Sequence, residues 1–427
     1  MKKIGLIALL NLLLIFYTSA QQPDKIYMPN IHTVKLFIAG NQDAYPIIQL
    51  NSVMSMELHF DDLSSSVKNY NYTYVLCDAN WMPVDLSPFD YLQGFTQGRL
   101  SQYRNSSVAK TKYVHYQALL PEQSCTPKIS GNYLLKVYLN GDTSRLAFAR
   151  RVLVLDNQIP VGVKITQPFN TQLFRTHQKV QFTIDKTKLN ILNPQQQLKI
   201  VVLQNFRWDN AITGIQPTFM RSNIYEYSND NNCVFPAGRE YRWVDLRSFR
   251  FQSERVDSAD LNTMPFNVYL KPDPQRTSMR YVTYVDLNGA YNISAIDVNN
   301  PWWQGDYANV HFTFVPQNPD AFANKQVYLI GELATGNCDN ATCILDYNPD
   351  KKIFEKTLLL KQGYYYYTYM TKIINDKRGV PETADTEGDY SETENSYTVL
   401  VYYRSFSDRA DRLVGAATVD SRNTIQQ

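Results

Sequence analysis

The sequence predicts an all-β protein made of three tandem antiparallel β-sandwich domains. Three observations predict it. A 3.6-residue apolar period is nearly absent, so amphipathic helices are not the building unit. Short runs of β-branched and aromatic residues recur instead, separated by Gly, Pro, Asn and Asp clusters. The chain also carries 31 Tyr, 20 Phe and 5 Trp among 427 residues. Tyr favours strands, because its ring packs on a pleated surface while its hydroxyl stays near water.

Taken in order, residues 21–157 form the first expected domain. Its strands read SMELHF (55–60), YNYTYVL (70–76), YVHYQALL (113–120), YLLKVYL (133–139) and AFARRVLVL (147–155). Several alternate polar and apolar residues, as a sheet with one wet face requires. A turn with Pro160 follows, and residues 158–319 form the expected middle domain, with strands at 161–165, 180–184, 198–203 and 308–315. Residues 320–406 form the expected last domain, entered by a strand at 327–333. Residues 407–427 read as a surface tail. The acidic stretch ETADTEGDYSETE (382–394) reads as a solvated hairpin loop between KQGYYYYTYM and SYTVLVYYRSF.

Charge narrows the function. Lys plus Arg is 42 and Asp plus Glu is 40. Both surplus charges, Lys2 and Lys3, precede an apolar run that ends in small residues at Ser19-Ala20, which is the secretory signal pattern. Residues 1–20 are the expected signal peptide; the apolar run is shorter than the ~20 residues a membrane span needs. The remainder is charge-balanced, which argues against a nucleic-acid partner. No direct membrane span is expected. The five cysteines are too few for a disulfide-built scaffold, and Cys338 and Cys343, in the turn GNCDNATC, are the candidate disulfide.

Catalytic patterns are missing. No zinc-protease, nucleophile-elbow, Walker or C-x-x-C motif occurs, and the five His are scattered. His59 and His115 fall inside strand-like runs and read as packed residues. Asp61, Asp62 and Asp78 are the nearest candidates for a carboxylate pair, and Asp62 and Asp78 are better explained as turn formers. No enzyme activity, metal or cofactor is expected. Aromatic density gives the candidate partner or glycan surface: Trp302, Trp303 and Tyr307, with Tyr365 and Tyr367 from the tyrosine-rich strand. In that strand Tyr365, Tyr367 and Tyr369 share one face and Tyr364 and Tyr366 the other, and one face is core.

Ten segments in order carry a resemblance. They are LCDANW (76–81), DYLQGF (90–95), YVHY (113–116), SGNYLLKVY (130–138), ARRVL (149–153), LQNFRWDNAI (203–212), AGREYRWVDLRS (237–248), YLIGE (328–332), YNPDKKIFEKTL (347–358) and LKQGYYYYTY (360–369). In this order the chain resembles the plug protein family of the Bacteroidota type IX secretion system. Leu76, Asn80 and Arg239 depart from the family's more frequent residues. The resemblance implies a non-enzymatic periplasmic protein on the inner side of the outer membrane. It would bind the periplasmic end of the translocon barrel and close the pore when no shuttle partner or cargo is engaged. The last domain also resembles the immunoglobulin-like early-set sandwiches that precede many glycan-active enzymes. That likeness implies the alternative, a non-catalytic glycan-binding protein of the cell envelope. No Trp follows Trp303, so the usual tryptophan platform is missing from that domain and a glycan partner is disfavoured.

Overall fold

The computed structural model describes residues 23–334, 343–376 and 379–422. The expected signal segment lies outside them. The described chain is nearly all strand, and its sheets are mostly antiparallel.

The first sandwich packs two sheets. One orders Ile31–Ile38, Met56–Asp62, Val114–Leu120 and Gln102–Asn105; the other orders Ile47–Gln49, Leu146–Leu155, Gly131–Leu139, Tyr70–Cys77 and Gly98–Leu100. Tyr72, Tyr133, Leu135, Phe60 and Phe148 fill the space between them. This burial is why so many tyrosines here are core residues: each ring supplies a large apolar area, and a hydroxyl such as that of Tyr133 finds a backbone carbonyl at 2.8 Å.

The second sandwich is discontinuous, which corrects the expected domain order. Leu198–Gln204 pairs antiparallel with Ser396–Tyr403, and Ser396–Tyr403 pairs with Arg412–Asp420. These strands face the sheet of Val161–Thr166, His177–Asp185, Ile224–Tyr227 and Phe219–Arg221. The intervening stretch closes on itself as the third sandwich, with Val244, Phe312, Leu329, Tyr365 and Tyr367 in one core. The boundary expected near 319 therefore falls inside a fold unit, between Tyr307–Val315 and Lys325–Ile330, which share that core. Residues 412–420, expected as surface tail, form the edge strand of the second sandwich's four-stranded sheet, with Leu413 and Val414 buried.

Parity explains how the units join. In Leu198–Gln204, Leu198, Ile200 and Val202 enter the second core, while Val201 and Leu203 point outward. In Ser396–Tyr403, Val399 and Val401 point inward, and Leu400 and Tyr402 outward. Those outward residues meet Leu134, Leu153, Leu155 and Trp81 of the first sandwich in a separate apolar cluster. Both sheets are therefore buried on two faces, which requires continuous apolar runs such as KIVVL rather than alternation.

The acidic stretch 382–394 is also corrected. It is not a solvated hairpin loop, because the strands it follows and precedes, Gly363–Ile373 and Ser396–Tyr403, lie in different sheets. Glu387 is fully buried and is held by Arg242 and Arg276. Those two guanidiniums outweigh the burial that would raise its pKa, and they hold the carboxyl down at about 2.

Candidate functional site

The sequence NPWWQG builds the first element of the site. Asn300 accepts a hydrogen bond from the Trp302 N–H at 3.0 Å, Pro301 opens the turn, and Gly305 ends the short helix Pro301–Gln304. This turn lies against the first sandwich. Trp302 stacks on His59 with ring centroids 3.9 Å apart, and the Arg104 guanidinium lies 4.8 Å over the Trp303 ring. The Trp303 carbonyl accepts from the Ser107 N–H at 2.9 Å, and Asp306 caps the N–H groups of Lys110 and Thr111 at 2.7 and 3.0 Å.

Behind the turn lies a buried ion cluster. Asp61 Oδ1 bonds His115 Nδ1 at 2.7 Å, and His115 Nε2 meets His59 Nδ1 at 3.0 Å. His59 Nε2 continues to Glu57 at 3.2 Å. Asp61 Oδ2 accepts from the Lys361 ammonium and, at 2.5 Å, from the Tyr307 hydroxyl. Burial would raise the Asp61 pKa, but Lys361 and His115 outweigh it and hold the carboxyl below its ordinary value. Burial, reinforced by His115, lowers His59 to about 3, and burial also lowers His115 against the pull of Asp61. Burial thus disfavours a charge on either imidazole, and the ion pair that crosses the seam is Asp61 with Lys361. The chain of contacts ends at Glu57, and its Asp61–Lys361 pair ties the first sandwich to the third. Lys35 adds a second crossing, to Glu332 at 2.6 Å.

Where the three sandwiches meet there is a cavity of about 420 Å³. Val34, Leu36, Tyr45, Arg150 and Arg151 come from the first unit, Phe206, Arg207 and Trp208 from the second, and Tyr241, Ala290 and Glu332 from the third. Tyr45 stacks on Phe206 at 3.9 Å. Gly289 has φ +87°, and a Cβ there would sit 2.7 Å from the Tyr241 ring, so only glycine lets the chain pass this wall. Arg239, one of the departures noted in sequence, donates to the carbonyls of Arg276 and, at the longer distance of 3.4 Å, Met279, as well as to that of Arg280.

The expected aromatic surface is corrected by this geometry. Tyr307, Tyr365 and Tyr367 are 0 %, 2 % and 0 % exposed, so none of them presents a ring to a partner here. The two-face parity of the tyrosine strand is observed, but Tyr365 and Tyr367 lie on its core face. The half-exposed face carries Tyr364 and Tyr366. Trp302 and Trp303 are half-buried, and each has a ring face covered by the first sandwich. Cys343 is disulfide-bonded, while Cys77, Cys125 and Cys233 are free; Cys338 lies outside the described residues. Asp78 is a turn former, accepting from the N–H groups of Asn80 and Met82 at 2.9 Å each. Sequence reasoning missed Asp61, Lys361 and His115 as a set. They read as ordinary polar positions because His59, Asp61 and His115 alternate with the core residues Leu58, Phe60, Val114 and Tyr116, and it is the third sandwich that buries their face. Among the described residues no group of His, Cys, Asp and Glu has the geometry to hold a metal ion, and no helix is long and apolar enough to cross a membrane.

The fold and its seams define a class: a body of several β-sandwiches joined by buried polar and apolar contacts. The family model for the type 9 secretion system plug protein first domain matches residues 31–156. A hypothetical protein from Parabacteroides merdae, solved as a crystal structure, is 33 % identical, with a TM-score of 0.88 over 93 % of this chain and 98 % of its own. InvD from Yersinia pseudotuberculosis aligns at 10 % identity over 91 % of this chain and 97 % of its own, with a TM-score of 0.18. No curated protein matches the chain. The chain belongs to the type 9 secretion system plug protein family, a component of type IX secretion and not a known enzyme family.

Proposed function

We propose that this protein is a periplasmic plug. It docks under the outer-membrane translocon barrel of the type IX system and closes the pore's periplasmic end while no shuttle partner or cargo is engaged. The observation that carries the reading is the family match over the first sandwich, joined to a relative similar over nearly the full chain. The geometry is compatible with it on physical grounds. A stopper must keep its shape under load, and here each sandwich is tied to the others by buried seams. Exposed phenylalanines, Phe89 on a short helix and Phe95, Phe169 and Phe251 on loops, offer separate apolar anchors instead of one dry patch that would aggregate on release.

The test is purification of the tagged translocon barrel from cells. This protein is expected in complexes that lack the shuttle partner, and its absence from every such preparation would overturn the reading. Deletion of the gene is further expected to admit large antibiotics across the outer membrane. The glycan alternative drew on the early-set likeness of the last domain and on Trp302, Trp303, Tyr307, Tyr365 and Tyr367; burial of the three tyrosines and the packing of both tryptophans on the first sandwich weigh against it.

A further inference from the structure

We propose that the central cavity is a binding site for a small amphipathic organic anion, with Arg150 receiving the acidic head and the aromatic walls enclosing the apolar body. The size fits: about 420 Å³ lies within the roughly 300–1,000 Å³ of small-molecule sites. The walls fit as well, since the stacked pair Tyr45 and Phe206 faces a lining that also includes Tyr241 and Ile330.

Arg150 is what gives the site its sign. Its side chain is almost wholly buried and donates only to the carbonyls of Ala149 and Val34, at 3.0 and 3.2 Å. Among the described residues no carboxylate lies within ion-pair distance of it. The other charges in the lining are already engaged. Arg151 pairs with Asp24, Arg207 with Asp209 at 2.5 Å, and Glu332 with Lys35 at 2.6 Å. The remaining acid, Asp43, is exposed to solvent, where its charge is screened. Asp24 and Glu332 attract Arg150 only at a distance, each being paired with another cation, so a buried guanidinium with unused donors and no direct ion pair stays costly, and a carboxylate, sulfonate or phosphate beside it relieves that cost. Burial pushes the Arg150 pKa down against the pull of Asp24 and Glu332.

The test titrates the full chain with 8-anilinonaphthalene-1-sulfonate and with N-phenyl-1-naphthylamine, which has the same rings without the sulfonate. The sulfonate is expected to saturate one site, read by fluorescence, and to bind at least about tenfold more tightly than the neutral probe. Arg150→Met is expected to erase that preference while leaving the neutral probe within about twofold. Ala44→Phe, which places a ring in the cavity, is expected to abolish both signals. Failure of the wild-type chain to bind the sulfonate in a saturable way overturns the proposal. So does equal affinity for the two probes, a comparison that needs no variant. Retention of the sulfonate in a folded Ala44→Phe protein overturns it too.

Discussion

Lys361 and Asp61 lie 300 residues apart in sequence and meet as a fully buried ion pair across the seam between the third and first sandwiches. Removing one partner leaves the other charge buried and uncompensated. Lys361→Met is therefore expected to destabilise the protein by about 3–5 kcal/mol in urea unfolding. Asp61→Asn with Lys361→Met is expected to recover at least about 1 kcal/mol of that loss. Strict additivity of the two substitutions would show that the pair does not couple.

Trp302 tests the difference between a lock and a platform. Trp302→Ala opens space over His59 and is expected to lower stability by about 2–3 kcal/mol. Polysaccharide retention on affinity gels is expected to stay at the parent level. A variant with parental melting behaviour and lost retention would restore the glycan reading.

The histidines make the first seam sensitive to acid. His59 and His115 have folded pKa values below the unfolded value of about 6.5. Below that pH the unfolded chain takes up protons that the folded chain refuses, so stability falls as pH falls. Between pH 7.5 and 5 each site contributes a loss of up to about 2 kcal/mol. His115→Gln is expected to flatten this dependence in urea midpoints measured across that range. An unchanged slope would place the histidines outside the linkage.

Glu394 acts in the opposite direction. Burial pushes its carboxyl up to about 7, and Asn288 donates to it at 3.1 and 3.2 Å. A carboxyl with a raised folded pKa holds its proton longer when folded, so this term weakens the protein as pH rises from about 4.5 towards 7. Burial raises nearby Asp286 to about 6 with the same sign. Glu394→Gln is therefore expected to gain about 1–2 kcal/mol relative to wild type at pH 8 and little at pH 5. The wild-type curve is expected to be shallow because the two terms oppose each other, and each variant should expose the other. Parallel curves for Glu394→Gln and wild type would refute the assignment.

Thiol chemistry separates the cysteines. Burial raises Cys77, Cys125 and Cys233 to about 12, 11 and 12, so none is expected to alkylate in the native protein at pH 8. Peptide mapping without reduction is expected to show Cys343 joined to Cys338. Native labelling of any of the three buried thiols, or free Cys343, would contradict this.

Much of the fold was legible in the residues. Strands such as Gly131–Leu139 and Tyr307–Val315 show the alternation or turn boundaries that a sheet demands. What escaped was long-range pairing. Nothing local in LKIVVL names SYTVLVYY as its neighbour. The uninterrupted apolar run does reveal that both faces are covered, and this was the available clue to a seam. For the tyrosine strand, period two separated the faces, but only the partner strand Arg242–Asp245 and the opposing sheet decide which face is core. Asp61 and Lys361 were illegible as a pair because each is an ordinary charge until the third sandwich docks on the first.

The interrupted second sandwich also sets a timetable. Its two halves are separated by the entire third sandwich, so it cannot close until Arg412–Asp420 is available to pair. A chain that arrives from its N-terminus can fold its first sandwich, then its third, while the middle one waits with Leu198–Gln204 unpaired on one edge. Such high contact order makes late closure the slow step. Whatever keeps that edge covered during the wait, a chaperone or the docked first sandwich, guards the protein at its most aggregation-prone moment.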